Sequence, residues 1–424
     1  MRVIVVGAGI GGLAAGIALQ RRGHDVQVWE RAGGPADAGS GLTLWPNGLR
    51  ALDALGLGDP VRARAMIDTA GGIRDRSGRW LSRTDTAAFA ARHGSVVAVH
   101  RTDLLDILRS ALEPERLHYG RAVTGVATAG ARDDAAPGSR TGSAGTAHSG
   151  TGSRAAATAR PGVGRVEDLV PATAADAAAT VRVHHDSGWD TADLVVGADG
   201  VRSVVRAAVR PGARPPRYAG YTAWRMVTPP TTPLREGGEF FGSGERFGVV
   251  PLPDGRVYLF GVADAPAGQH AVDGEFAELR RRFGGWPEPI PRLLELVSPD
   301  EVLRHDIYDL PPLGSLVRGP VAVLGDAAHA MTPNLGQGAN QALEDAVTLA
   351  AVLADRPLEA ALRTYDTLRR PRTRTLTLRS RLIGSVAQWS WRPAVTVRDT
   401  TLRCMPDRAM LQAFDSAVDW YPPA

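Results

Sequence analysis

The chain has 424 residues, and its hydrophobic content of 44% is sufficient for a sizeable core in two or three domains. All 49 basic residues are arginine and are interspersed with 45 acidic ones, so the net charge is only +4 and no single-sign field indicates a nucleic-acid partner. The absence of lysine excludes Schiff-base and P-loop chemistry, and the single cysteine excludes an internal disulfide and a cysteine-cluster metal site.

The N-terminal stretch predicts a strand–turn–helix–strand unit. In chain order it comprises a buried strand, the spacing G-x-G-x-x-G, a helix, a second strand and an acid: Val3–Val6, Gly7 with Gly9 and Gly12, Leu13–Arg22, Val26–Trp29, and Glu30. Such glycines allow a tight turn and close approach of the backbone to a pyrophosphate, whose charge the helix N-terminus favours. The unit therefore predicts a dinucleotide site. A secretory signal explains it less well, because glycines interrupt the apolar stretch.

Residues 128–178 differ in composition from the rest of the chain, with abundant Ala, Gly, Thr, Ser and Arg and few large apolar side chains. Such a segment buries too little surface to offset the entropy of ordering it. We interpret it as a low-complexity loop inserted between strands near 121–127 and 180–185, with a domain linker as the alternative.

The second half of the chain predicts an antiparallel sheet followed by helices. Between residues 211 and 317, strand-like runs alternate with Pro/Gly turns, and residues 71–82 predict a hairpin. Alternation along the strand at 218–228 places Tyr221 and Arg225 on one face and Trp224 on the other. From Leu358 to about Val386 the pattern is helical, with a kink or break expected at Pro371.

Three glycine/acid motifs follow predicted buried strands: Gly7–Gly12, Asp199-Gly200 and Gly325-Asp326. Ligands of open parallel sheets bind at the carboxyl ends of the strands, so three converging motifs predict one long ligand. Asp326 could hold a polyol. The loop at 333–340 leads into a helix over Gln341–Ala354, whose positive N-terminus favours an anionic ring. His329 lies inside the third motif, so a packing or cofactor-side role is a better explanation for it than base catalysis.

The longer motifs place the chain in a family. They are G-A-G-I-G-G at 7–12, E-R at 30–31, H-R-T-D-L at 100–104, G-A-D-G-V-R-S at 197–203, and G-D-A-A-H-A-M-T-P with N-L-G-Q-G-A-N-Q-A-L-E-D-A at 325–346. With these the chain resembles the FAD-dependent group A flavoprotein monooxygenases, the aromatic hydroxylases related to salicylate and urate hydroxylases. The resemblance implies an α/β protein: a Rossmann-like FAD-binding domain, an antiparallel-sheet substrate domain and C-terminal helices.

The resemblance also implies a set of cofactor contacts. The pyrophosphate would lie at the glycine turn, the ribose at the acid that ends the second strand, and the flavin at the backbone N–H groups before the last strong helix. The implied FAD-binding residues are Gly7, Gly9, Gly11, Gly12, Glu30, Arg31, Thr43, Arg101, Val123, Asp199, Asp326, Gly336, Gln337, Gly338, Ala339 and Asn340. The candidates for the substrate pocket are Tyr221, Arg225, Trp45 and Met331. The alternatives are a surface position for Arg225 and core packing for Trp45 and Met331. No catalytic side chain is assigned, because the flavin carries the chemistry.

On this basis we divide the chain into three parts. The FAD-binding domain comprises residues 1–70, 95–210 and 318–355, with the insert at 128–178. The substrate domain comprises 71–94 and 211–317, and a helical region covers 356–424.

The resemblance implies an enzyme that uses NAD(P)H as a transient co-substrate and O2 to hydroxylate an aromatic or related cyclic small molecule through a flavin C4a-hydroperoxide. A flavin-dependent epoxidase or reductase on the same fold is the alternative, and a non-enzymatic nucleic-acid-binding protein is a remote one. A halogenase fits poorly, because the chain has no lysine. No apolar run is long enough to span a membrane. We therefore expect a cytoplasmic monomer or homodimer that binds no metal, nucleic acid or membrane.

Overall fold

The computed structural model describes residues 1–35, 40–67, 71–128, 180–234 and 236–423. The predicted insert at 128–178 lies outside the described residues except for Thr128, which ends a strand. Both flanking strands are present where the sequence predicts them, over Val123–Thr128 and Val181–His185.

The described residues form strands and helices throughout. The strands are β1 (Arg2–Val6), β2 (Asp25–Trp29), β3 (Gly41–Leu44), β4 (Met66–Ile67), β5 (Gly71–Asp75), β6 (Trp80–Thr84), β7 (Val97–His100), β8 (Leu117–His118), β9 (Val123–Thr128), β10 (Val181–His185), β11 (Gly188–Ala192), β12 (Leu194–Gly197), β13 (Arg217–Val227), β14 (Gly238–Phe241), β15 (Glu245–Pro251), β16 (Val257–Asp264), β17 (Leu303–Asp309), β18 (Val317–Arg318) and β19 (Val321–Val323). The helices are α1 (Ile10–Gln20), α2 (Pro46–Ala54), α3 (Gly58–Ala63), α4 (Thr86–His93), α5 (Arg101–Ala111), α6 (Val205–Val209), α7 (Glu275–Phe283), α8 (Ile290–Leu294), α9 (Asp326–His329), α10 (Gly338–Ala354), α11 (Leu358–Ala387), α12 (Arg392–Cys404) and α13 (Asp407–Val418).

A six-stranded sheet carries the predicted dinucleotide unit. Its order is β18-β19-β12-β1-β2-β8, and all neighbours are parallel except β18 and β19. The apolar strand β1 lies inside this sheet and is buried from Val3 to Val6, which explains its continuous hydrophobic run. Val6 pairs with Gly197, and Gly197 pairs with Val323, so the three strands end side by side.

The second large sheet has seven strands in the order β17-β13-β16-β15-β14-β5-β6. Its neighbours are antiparallel except β14 and β5, and the predicted hairpin at 71–82 is its edge. One face packs on α7 and α8 through a cluster that contains Trp224, Phe247 and Phe283. Tyr221 lies in a separate cluster on the opposite face, as the alternation predicts.

Three helices differ from the sequence prediction. Helix α1 covers Ile10–Gln20 rather than Leu13–Arg22, so it begins before Gly12 instead of after it. Helix α10 begins at Gly338 rather than Gln341, so Gly338 and Asn340 form its first turn instead of a preceding loop. Helix α11 continues through Pro371, so the predicted break is wrong. Arg369 and Thr373, on either side of this proline, are both buried. No helix in the described ranges is both long and apolar enough to cross a membrane.

Candidate functional site

The start of α1 forms a cradle in the backbone. Gly7 has φ +103°, and an added Cβ at Gly7 or Gly12 would lie 2.5 Å from Ala198 O or 1.8 Å from Gly7 O, respectively. These glycines are therefore required by the packing of the chain itself. Among the described residues, no atom would lie within 4 Å of a Cβ added at Gly9. The helix has no capping side chain and no acid in its first turn, so its free N–H groups face this open space and suit a phosphate.

Glu30 is fixed beside the cradle by backbone hydrogen bonds. Its Oε2 accepts from the N–H of Ala8 (2.9 Å), and its Oε1 accepts from the N–H of Ala32 (3.0 Å). The neighbouring Arg31 is exposed. The N–H of Arg121 donates to the Glu30 carbonyl, which brings Val123, at the start of β9, to the same edge. The predicted ribose and adenine contacts thus lie together at the end of β2.

Asp199 follows β12 and has one oxygen committed to the fold. Its Oδ2 accepts from the N–H groups of Val204 (2.6 Å) and Val205 (3.2 Å), which caps the start of α6. Its Oδ1 is buried and has no hydrogen-bond partner in the part of the chain that the structure describes. A Cβ added at Gly200 would meet open space. This second motif therefore has an acceptor and room for a ligand next to the glycine cradle.

Asp326 begins α9 directly after β19. Its side chain opens to solvent, yet it lies deep among protein atoms, and this partial desolvation raises the pKa of its carboxyl group against the effects of His329 and Arg101. Burial and the charge of Arg225 lower the pKa of Arg101, whereas the charge of Asp326 raises it. Arg101, Arg225 and Asp326 therefore share one electrostatic environment. No carboxylate lies within 4.0 Å of either arginine among the described residues.

A buried charge network supports the turn that carries Asp326. Asp345 Oδ2 accepts from the N–H of Gly325 (2.9 Å) and is hydrogen-bonded to His329 Nε2 (2.6 Å). Its Oδ1 accepts from Arg369 Nε (2.6 Å), and Arg369 also pairs with Glu344. Burial raises the pKa of Asp345, but His329 and Arg369 outweigh burial and hold that pKa well below its usual range. The buried His329 is thus held by Asp345 through Nε2, and its Nδ1 has no hydrogen-bond partner among the described residues.

Sequence reasoning missed Asp345, Glu344 and Arg369 as supports of the site. A signal was present, because the second half of α10 is almost wholly apolar and Glu344 and Asp345 stand in the middle of the helix. Two adjacent acids in a helix that is buried all round require buried cations as partners.

The first turn of α10 faces the open space with its backbone. The Asn340 side chain turns inward: its Oδ1 accepts from the N–H of Trp45 (3.0 Å), and its Nδ2 donates to the carbonyls of Thr43 (3.2 Å) and Gly336 (2.9 Å). Gln337 Oε1 likewise accepts from buried neighbours. A Cβ added at Gly338 would meet no atom, so the N–H groups at Gly338 and Ala339 border free space. The first turn contains no acid, so the positive end of the helix is not neutralised locally.

The four candidates for the substrate pocket lie in different surroundings. Tyr221 is 3% exposed, and its hydroxyl accepts from Asn334 Nδ2 (3.0 Å). Trp45 stacks on Phe414 with ring centroids 5.0 Å apart. Met331 packs beside a small cluster formed by Leu335, Leu376 and Ala417. Arg225 is half-buried and donates to the Tyr258 hydroxyl (3.0 Å).

Comparisons with known proteins agree with this geometry. A family model described as "FAD binding domain" matches residues 1–143 and 313–380. Aurachin C monooxygenase/isomerase of Stigmatella aurantiaca is 34% identical, over 96% of this chain and 94% of that protein. FAD-dependent urate hydroxylase of Klebsiella pneumoniae is 33% identical, over 90% of this chain and 89% of that protein.

A solved structure, Klebsiella pneumoniae HpxO complexed with FAD and uric acid, matches with a TM-score of 0.82 at 29% identity, covering 99% of this chain and 96% of the other. These matches confirm the predicted α/β fold and FAD as the cofactor. The open space at Gly9, the unpartnered Asp199 oxygen and the free first turn of α10 fit such a ligand. The chain belongs to the family of FAD-dependent group A flavoprotein monooxygenases.

Proposed function

We propose that this protein uses FAD, NAD(P)H and O2 to hydroxylate an aromatic or related cyclic small molecule. The observation that carries the proposal is the set of open polar groups that fit FAD: the free first turn of α1 at Gly9, the Asp199 Oδ1 without a partner among the described residues, and the free first turn of α10. Relatives named for urate hydroxylation and for 3-amino-4-hydroxybenzoate 2-monooxygenation support the substrate class.

When bound, FAD supplies the redox chemistry with O2 that amino-acid side chains lack. The N-terminus of α1 and Gly9 would hold its pyrophosphate, and Glu30 its adenosine ribose. Asp326 would hold the ribityl chain. The free N–H groups in the first turn of α10 would favour negative charge in the ring beside them. We propose that the other FAD-binding residues predicted from the sequence also contact FAD.

The seven-stranded sheet would position the substrate and exclude water from it. Arg225 presents a cation that Tyr258 orients, which suits a phenolate or a carboxylate. Tyr221, Trp45 and Met331 would border the pocket through packing rather than through polar contacts. A dry cleft favours transfer of oxygen to the substrate over its loss to water.

The test begins with the purified protein, which should be yellow and should hold FAD. Substrate-stimulated NAD(P)H oxidation is then measured over a panel of phenols, aromatic acids and N-heteroaromatics under ¹⁸O2. We expect a product that contains a single labelled oxygen as a ring hydroxyl. Oxidation without labelled product would indicate a reductase, and a labelled epoxide would indicate an epoxidase. A colourless protein that takes up no FAD would refute the proposal.

The division into an FAD-binding domain, a substrate domain and a helical region also remains our proposal, with the boundaries given above. We further propose a cytoplasmic monomer or homodimer that binds no nucleic acid. The use of NAD(P)H, an intracellular reductant, supports that location. Light scattering after gel filtration measures the mass, and an electrophoretic shift assay with duplex DNA tests for nucleic-acid binding.

A further inference from the structure

Four neighbouring strands place Glu239, Gly248, Phe260 and Arg225 in one row across the seven-stranded sheet. Glu239 pairs with Gly248, Gly248 with Phe260, and Phe260 with Arg225. Residues paired in this way point to the same face of a sheet. At the usual strand spacing, the α-carbons of Glu239 and Arg225 are about 14 Å apart. Each side chain bonds to the next strand toward the middle of the row, Arg225 to Tyr258 on β16 and Glu239 to Arg246 on β15.

Phe260 forms the floor of that span. A Cβ added at Gly248 would lie 2.0 Å from Phe260 Cζ, so the ring occupies the space that a side chain at position 248 would need. The ring is therefore laid from β16 across β15 toward Glu239. Phe260 is half-buried, so part of the ring remains open to a ligand. Planar aromatic compounds stack on such a surface.

This row lies between two points where the seven-stranded sheet contacts residues of the proposed FAD-binding domain. At one point Tyr258 packs against Gly41, where an added Cβ would lie 2.4 Å from the Tyr258 ring. At the other point the Tyr221 hydroxyl accepts from Asn334, which precedes α10. Phe260 stands between these contacts, on the face that also carries Tyr221 and Arg225. The row thus borders the cleft in which the substrate is proposed to bind.

The two ends of the row have different chemistry. Arg225 supplies a cation without a carboxylate partner among the residues described. Glu239 Oε1 accepts from Arg246 NH1 (3.0 Å), and the buried Arg246 is fixed in turn by Gln388 (2.6 Å) and Asn334 (2.9 Å). Glu239 Oε2 has no hydrogen-bond partner within the described part of the chain, and the side chain is 26% exposed. One oxygen is therefore held in place, while the other is an acceptor open to the cleft.

We propose that Glu239 is a specificity-determining residue that accepts a hydrogen bond from an N–H or O–H group of a ring stacked on Phe260, at the end opposite to Arg225. The substrate would then be a planar aromatic anion with a hydrogen-bond donor across the ring from its charge. The inference rests on the proposed function, because it assigns the selectivity of the same cleft. Ring compounds that lack the donor would leave the Glu239 oxygen desolvated and unpaired, and the cleft would reject them.

The test is the substitution Glu239→Gln in the FAD-loaded enzyme. Arg246 requires an acceptor, so the amide oxygen should face Arg246 and the amide N–H group should face the cleft. The probes are two matched pairs: para-hydroxybenzoate with para-methoxybenzoate, and para-aminobenzoate with para-dimethylaminobenzoate. In the natural enzyme we expect the compound of each pair that carries the O–H or N–H donor to bind at least about 10-fold more tightly than its methylated partner. In Glu239→Gln this preference should disappear, through KM more than kcat.

Glu236→Gln is the matched control, because Glu236 is exposed, pairs with Arg74 and lies outside the row. It should keep the natural preference, and all three proteins should hold equal FAD. Binding is also measured from the change in flavin absorbance on titration, which does not require turnover. Donor selectivity in binding without hydroxylation would overturn the proposed reaction and still support Glu239. Three results would overturn the inference. The first is equal binding of donor and methylated probes by the natural enzyme, and the second is no binding of either probe. The third is an equal loss of affinity for both probes in Glu239→Gln.

Discussion

The glycine turn at the start of α1 contains two glycines with different roles. The ligand requires Gly9, whereas folding requires Gly12. Gly9 has φ −75° and ψ −178°, an extended conformation open to any L-residue, and an added Cβ would meet no atom within 4 Å. We expect the unfolding free energy of the Gly9→Ala apoprotein to stay within about 1 kcal/mol of the natural value, because alanine restricts the unfolded chain but is a poorer N-cap for α1 than glycine.

The same methyl group would occupy the space through which a pyrophosphate approaches the backbone. Loss of one hydrogen bond to a charged group costs about 1.5–3 kcal/mol. We therefore expect the Kd for FAD to rise about 10- to 150-fold in Gly9→Ala. Gly9→Val should weaken binding further, because its side chain fills more of the cradle.

Gly12→Ala is the contrasting substitution. Its Cβ would lie 1.8 Å from the carbonyl oxygen of Gly7, which is backbone and cannot rotate away. Overpacking of this kind costs about 1–3 kcal/mol or more, so this variant should lose stability before FAD is added. Urea unfolding of the apoproteins followed by circular dichroism measures the first effect, and quenching of FAD fluorescence measures the second. An unchanged Kd in Gly9→Ala would refute the placement of the pyrophosphate.

Four further predictions concern the supports of the site. Asp326→Asn should weaken FAD retention on gel filtration. The unfolding free energy of the apoprotein should change by less than about 0.5 kcal/mol, because the side chain is exposed. Full retention of FAD would contradict the role assigned to Asp326. Arg369→Ala should lower the unfolding free energy in urea by up to about 3–5 kcal/mol, since among the described residues it leaves Glu344 with only Arg372, and Asp345 with only His329, as an ion-pair partner. The pKa of Asp345 is lower in the folded than in the unfolded chain, so its stabilising effect is present above about pH 4 and is lost as the pH falls toward the folded-state pKa. Asp345→Asn should therefore flatten the acid limb of the stability curve, and an unchanged limb would exclude this contribution. Asn340→Ala should raise the Kd for FAD and cost about 1–3 kcal/mol of stability, because it leaves the Trp45 N–H unpaired.

Local sequence patterns were sufficient for most of the fold. The alternation between apolar strands and glycine turns predicted β1, α1, β2, the hairpin at 71–82 and the strands of the larger sheet. These elements are determined by short-range rules, namely burial on both faces, period-two alternation and turn chemistry. The same rules placed Tyr221 and Trp224 on opposite faces of β13, which the hydrophobic clusters confirm. The start of α10 was misplaced by three residues, because its first turn is stabilised by the distant contacts of Asn340.

What the sequence by itself determined is the set of chemical groups at the strand ends: Gly9, Glu30, Asp199 and Asp326 each follow a buried strand within a recognisable spacing. What only the tertiary structure decided is how these groups are held and what faces them. The bonds from Asp345 to Arg369 and His329, and the row from Glu239 to Arg225, join segments far apart in the chain. Their geometry depends on which faces of helices and sheets meet, and that is set by packing of the whole core rather than by any local pattern.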